Sequence, residues 1–138
     1  MLSQCGKWSA AVLCVSLANL ISGCADLSPQ DVRDRPRSKV VYIVKDDYQV
    51  VYQQLLDGTR DHPDPYMAVH DSIRTDVKEA SLALKYADGI FLRTYWVIDL
   101  RALDNGQTQA ILYIRDPSEG RVARQWLAKL GAERIGPK

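Results

Sequence analysis

The chain has 138 residues, with 18 basic and 17 acidic side chains and 46% hydrophobic residues. That length suits one domain of ordinary size, and the balanced charge gives no electrostatic pull toward nucleic acid or anionic lipid. No low-complexity tract or internal repeat is present, which sets aside disordered and solenoid classes.

Residues 1–23 differ from the rest. Lys7 is their one charged residue, and the run from Trp8 to Ile21 is apolar apart from Ser9, Ser16 and Asn19. A helix that spans a bilayer needs about 20 apolar residues, and this run is shorter. A short positive start, an apolar stretch and a small-residue end describe a secretory signal peptide. The competing readings are a buried helix with Cys24 in the core and an uncleaved membrane anchor. The coincidence of a lone charge, an apolar run and a small-small-Cys ending favours the signal peptide.

The ending Ile21-Ser22-Gly23-Cys24 resembles the lipobox of bacterial lipoprotein precursors, usually Leu-(Ala/Ser)-(Gly/Ala)-Cys. Ile21 departs from the usual leucine, while Ser22, Gly23 and Cys24 match. The resemblance implies a diacylglycerol on the Cys24 sulfur, cleavage after Gly23 by a lipoprotein signal peptidase, and an acyl chain such as palmitate on the new amine. Two or three acyl chains anchor stably, because each buried methylene contributes roughly 0.8 kcal/mol. The protein is then held to a membrane of the bacterial cell envelope and faces the periplasm. Ala25 rather than Asp after the cysteine points to the outer membrane, although Asp26 is a retention cue for the inner membrane in some bacteria.

The cysteines are Cys5, Cys14 and Cys24. Cleavage removes the first two and acylation consumes the third, which leaves no disulfide, no catalytic thiolate and no zinc-thiolate site. Without Lys7 the basic side chains number 17, equal to the 17 acidic ones. No nucleic-acid partner is expected.

Residues 24–38 comprise the acylated cysteine and a polar, proline-containing stretch that reads as a flexible tether. If extended, it would span roughly 45 Å. A single domain is expected over 39–138. "KVVYIV" (39–44) reads as a strand. Asp46 and Gln49 form a capping-box pattern, and Tyr48, Val51, Tyr52, Leu55 and Leu56 make the apolar stripe of a helix that ends near Gly58.

Four strands with period-two alternation follow. Met67, Val69, Ile73 and Val77 share a face in the first, and Leu82, Leu84 and Tyr86 in the second. Ile90, Leu92, Trp96, Ile98 and Leu100 do so in the third, and Ala110, Leu112 and Ile114 in the fourth. Keeping the apolar faces together predicts a two-residue turn at Lys78-Glu79, pairing Val77 with Ala80. It also predicts three-residue loops at Ala87-Asp88-Gly89 and Asp104-Asn105-Gly106, which pair Leu84 with Leu92 and Ile98 with Leu112. Asp116-Pro117-Ser118-Glu119 opens a last helix with Val122, Trp126, Leu127 and Leu130 as its stripe and Gly131 at its end.

The expected class is α+β: a two-layer sandwich of β-α-β-β-β-β-α order, about five antiparallel strands with two helices on one face. Over roughly 39–131 this element order is similar to the helix-grip or TATA-box-binding-like modules of a lipoprotein in the outer-membrane β-barrel assembly machinery. The likeness lies in element order, so it carries over no functional residue.

The sheet face away from the helices is expected to display His70, Arg74, Lys85, Phe91, Arg93, Tyr95, Asp99, Arg101, Tyr113 and Arg115. Of these, Arg74, Phe91, Arg93, Tyr95, Arg101, Tyr113 and Arg115 form the candidate partner surface, because Arg and aromatic side chains combine contact area with directed hydrogen bonds. The same composition also suits a solvated sheet face. "RDHPDPYMAVHD" (60–71) gathers both histidines with three aspartates, but its spacing matches no metal motif. No metal, cofactor or catalytic residue is expected, since no nucleophile elbow, zinc-protease helix or phosphate loop is present. The function expected is a non-catalytic protein-binding or assembly module bound to an envelope protein. The alternative is a carrier of a small apolar ligand or lipid, held between sheet and last helix near Trp126.

Overall fold

A β-branched run opens the sheet. In "SKVVYIV", Val40, Tyr42 and Val44 alternate onto one buried face, and this is strand β1 (Ser38–Val44). The computed structural model describes residues 28–136 except Pro63. The leader and the lipobox residues Ile21, Ser22, Gly23 and Cys24 lie outside the described residues.

Before β1 stands helix α1 (Pro29–Asp34), and after it α2 (Tyr48–Arg60), β2 (Met67–Arg74), β3 (Glu79–Asp88), β4 (Phe91–Ala102), β5 (Thr108–Ile114), α3 (Pro117–Lys129) and β6 (Glu133–Ile135). The six strands form one antiparallel sheet in the order β2-β3-β4-β5-β1-β6. The class is α+β, as expected, with one open sheet. The sixth strand and third helix go beyond the expected five and two.

Helices α2 and α3 cover one face. Val51 and Leu55 of α2 and Ala123 and Leu127 of α3 pack on Val44, Leu82, Trp96, Ile98, Leu112 and Ile114, all essentially sealed from solvent. The predicted α2 stripe holds, with Tyr48, Val51 and Leu55 buried. Its cap is Asp47, one residue later than expected, accepting from the Gln49 amide at 2.9 Å. In α3 the buried line runs through Gly120, Ala123 and Leu127, with Val122, Trp126 and Leu130 half-buried beside it. Gly131 takes φ 66° just past the helix, the left-handed position expected of it.

The three hairpins differ in how they keep apolar faces together. Ile98 pairs with Leu112 across the 104–106 loop, where Gly106 has φ 79°, as predicted. The first hairpin does not turn at Lys78-Glu79. Ile73 pairs with Ala80 across a loop at 75–78, Lys78 takes the left-handed φ of 54°, and Val77 stays exposed. The second uses a two-residue turn at Gly89-Ile90, with Asp88 opposite Phe91 and Gly89 supplying φ 65°. Its parity is repaired inside the strand, where Leu84 pairs with Trp96 but Lys85 pairs with Thr94, so Tyr95 is a β-bulge. Beyond the bulge the alternation inverts, and Ile90 and Leu92 are exposed rather than core.

The tether reading fails from Ser28 onward. Ser28 and Asp31 form a reciprocal capping box and Pro29 takes the first helical position. Val32 is fully buried on the sheet face opposite α2 and α3, packed with Ala83 and Val97 beside Tyr113. A helix with one apolar residue shows no periodicity, so composition alone made it look like linker.

Candidate functional site

The outer sheet face is built by the alternation that buries the core on the other side. Arg74, Ser81, Asp99, Arg101 and Tyr113 are each one position out of phase with the helix-facing apolar residues. Helix α1 crosses this face, seated by the burial of Val32 and tied by Arg33. The Arg33 Nε and Nη2 donate to the two Asp99 carboxylate oxygens at 2.8 and 2.6 Å, and Nη2 also donates to Ser81 Oγ at 2.7 Å. Ser81 Oγ donates in turn to Asp99 at 2.9 Å. The fork geometry is the bidentate pairing in which arginine surpasses lysine. Asp99 raises the Arg33 pKa, mainly through this hydrogen bond.

Beside this network lies a groove of about 470 Å³, lined by Arg33, Arg74, Glu79, Asp99, Arg101 and Gln109. Arg74 is ion-paired with Glu79, and Arg101 sits opposite Glu79 and Gln109 in the ladder, exposed. Tyr113 is half-buried, with the Lys39 ammonium 5.5 Å from its ring centre. Burial, followed by the charge of Asp99, pushes its hydroxyl pKa up.

Three of the seven predicted surface residues therefore share this face: Arg74, Arg101 and Tyr113. Phe91, Arg93 and Tyr95 do not. The bulge turns Tyr95 into the main core, where its ring meets Tyr86 edge-on at 5.6 Å, and Arg93 pairs with Tyr86 on that side. Arg115 lies past the end of β5 and donates to the Arg35 carbonyl at 3.0 Å, tying down the end of α1. Sequence reasoning missed Arg33 because it lay in the presumed tether. The Ser28-Pro29-Gln30-Asp31 start signal was the available clue.

The His/Asp stretch at 60–71 is dispersed rather than gathered. His62 lies edge-on to Trp126 at 6.3 Å, Asp64 accepts from the Tyr86 hydroxyl at 2.7 Å, and Asp71 accepts from the Tyr52 hydroxyl. His70 alternates onto the outer face. Among the described residues no cluster of three metal-ligating side chains forms. Trp126, expected to border an apolar ligand between the sheet and the last helix, packs edge-on against Trp96 at 5.7 Å and lines a surface groove of mixed character between α2 and α3 with Leu55, His62, Val122, Lys129 and Leu130. No protein-family model matches the chain, and no curated protein matches it by sequence. Among the described residues no helix is long and apolar enough to cross a membrane.

Proposed function

We propose that this chain is a bacterial envelope lipoprotein, anchored through acyl chains on Cys24, whose α+β domain binds a protein partner and performs no catalysis. The observation that carries the proposal is Ile21-Ser22-Gly23-Cys24 at the end of the only long apolar run in the sequence. The seating of α1 gives the proposal a geometric consequence. Cys24 stands four positions before Ser28, so an anchor there lies within about 13 Å of the end of α1, not the roughly 45 Å of a free tether. The domain would sit close to the bilayer with its α1-bearing face nearby. The outer membrane is the proposed site, on the strength of Ala25 after the cysteine.

The test has two arms. Cys24→Ala should leave an unacylated precursor; normal acylation and processing of that variant would reject the lipobox. In-cell crosslinking of the anchored protein should capture one dominant envelope protein, and Arg101→Glu should weaken the capture without unfolding the domain. Retention of lipid with no protein captured would reject the binding-module reading in favour of a carrier.

A further inference from the structure

Among the described residues strand β2 is the outermost strand of the sheet and pairs only with β3. Its ladder decides which of its backbone groups are unused. The Ala87 amide donates to the Tyr66 carbonyl at 2.9 Å, so Tyr66 faces β3, and by the alternation of an antiparallel ladder so do Ala68, His70, Ser72 and Arg74. The N–H and C=O groups of Val69, Asp71 and Ile73 therefore point away from the sheet. At the start of the strand the Met67 amide is taken by the Asp64 carbonyl at 3.2 Å.

Edge strands are usually blunted by charged side chains, proline, a bulge, shortness or a covering element; the two charges of β2 are engaged within the domain, Asp71 by Tyr52 and Arg74 by Glu79. β2 runs for eight residues as "MAVHDSIR", with no Pro, no Lys and no break in its register with β3, and His70 through Arg74 are all exposed. At the other edge, β6 is only three residues long. The side chains of Val69, Asp71 and Ile73 share the helix side, because they lie opposite Leu84, Leu82 and Ala80 of the main core. Ile73 is 40% exposed there. Tyr52 donates to Asp71 Oδ2, and a cation across the strand would meet Oδ1.

A second copy does not suit this edge. Antiparallel self-pairing about the middle of β2 sets Asp71 against Asp71 or against Val69, a repulsion in one register and an unpaired charge in the other. We propose that β2 receives an extended segment of a partner protein as a seventh, antiparallel strand, with apolar, basic and apolar residues opposite Ile73, Asp71 and Val69. Main-chain hydrogen bonds would supply affinity and the alternating side chains specificity. The proposal rests on the protein-binding reading above and names the partner's chemistry.

The test uses the full-length chain in detergent micelles and a fluorescent peptide, Thr-Val-Thr-Lys-Thr-Val-Thr, against the same peptide with Glu replacing Lys. Anisotropy titration should show the Lys peptide bound about threefold more tightly, the size of one exposed ion pair. Asp71→Lys should reverse that preference. Ile73→Pro removes an outward N–H and leaves the β3 ladder intact, and should cost at least about tenfold in affinity for the Lys peptide. Equal affinity for the two peptides, or undiminished binding by Ile73→Pro, would overturn the proposal. So would concentration-dependent dimerisation that Ile73→Pro abolishes. A partner crosslinked in cells equally well by Ile73→Pro would reject the edge while leaving the binding-module reading standing.

Discussion

Two glycines in helices show how local space sets the sign of a substitution. A Cβ at Gly120 would lie 2.8 Å from the Cδ1 and Cγ2 atoms of Ile114, whereas at Gly58 it would lie 3.7 Å from Trp126, an ordinary contact. Alanine gains about 1 kcal/mol of helix propensity over glycine at either site. At Gly120 the overpacking costs about 1–3 kcal/mol and prevails. Gly120→Ala should therefore destabilise by about 1 kcal/mol and Gly58→Ala should stabilise by about 0.5–1 kcal/mol in denaturant titrations.

The tyrosine–aspartate pairs set a pH limit. Hydrogen bonding to Asp71, then burial, pushes the Tyr52 hydroxyl up to about 12, and Asp64 does the same for Tyr86, also to about 12. A phenol whose folded pKa exceeds its unfolded value near 10 contributes stability that is fully present below pH 10. That contribution is lost as pH rises through 12. Unfolding midpoints should fall between pH 10 and 12, and tyrosinate absorbance should show the Tyr52 and Tyr86 hydroxyls ionising late, with Tyr113 also displaced upward. Tyr52→Phe with Tyr86→Phe should flatten that fall and shrink the late absorbance step to what Tyr113 contributes.

At the scale of elements, α1 is the piece whose place depends most on tertiary contact. Six residues cannot sustain a helix alone, since nucleation is unfavourable and short helices are marginal in water. Burial of Val32 and the Arg33–Asp99 fork hold it on the sheet. Their side chains are 25% and 29% exposed, so the ion pair contributes only about 1 kcal/mol and the valine is the main anchor. Val32→Asp should release α1 alone. Hydrogen exchange at 30–34 and tryptic cleavage after Arg33 should rise at least about tenfold while β3–β5 stay protected. Equal protection in the variant would show that Arg33 suffices. The β4 bulge teaches the complementary lesson. The mismatch of parity around Asp88-Gly89 was legible, but a longer loop and a bulge repair it equally well. The packing of Tyr95 against Tyr86 goes with the bulge and takes Phe91, Arg93 and Tyr95 off the outer face.

Among the described residues, one face of the sheet is filled by two helices and the other is shared between α1 and a groove rimmed by arginines, while β2 leaves one edge open. The class of fold, both long helices, the core residues Leu82, Leu84, Trp96, Ile98, Leu100 and Leu112, and the 104–106 loop were all legible in the order of residues. Those features follow from periodicity, caps and glycines, which act over a few residues and need no distant partner. The docking of α1, the loop at 75–78, the bulge at Tyr95, strand β6 and the arginines that share a face emerge from the folded structure. The places of α1 and β6 turn on contacts between segments far apart in the chain: Val32 on Val97, Arg33 on Asp99, Glu133 beside Ile43. Neither local propensity nor alternation encodes which distant side chain will be there to meet them.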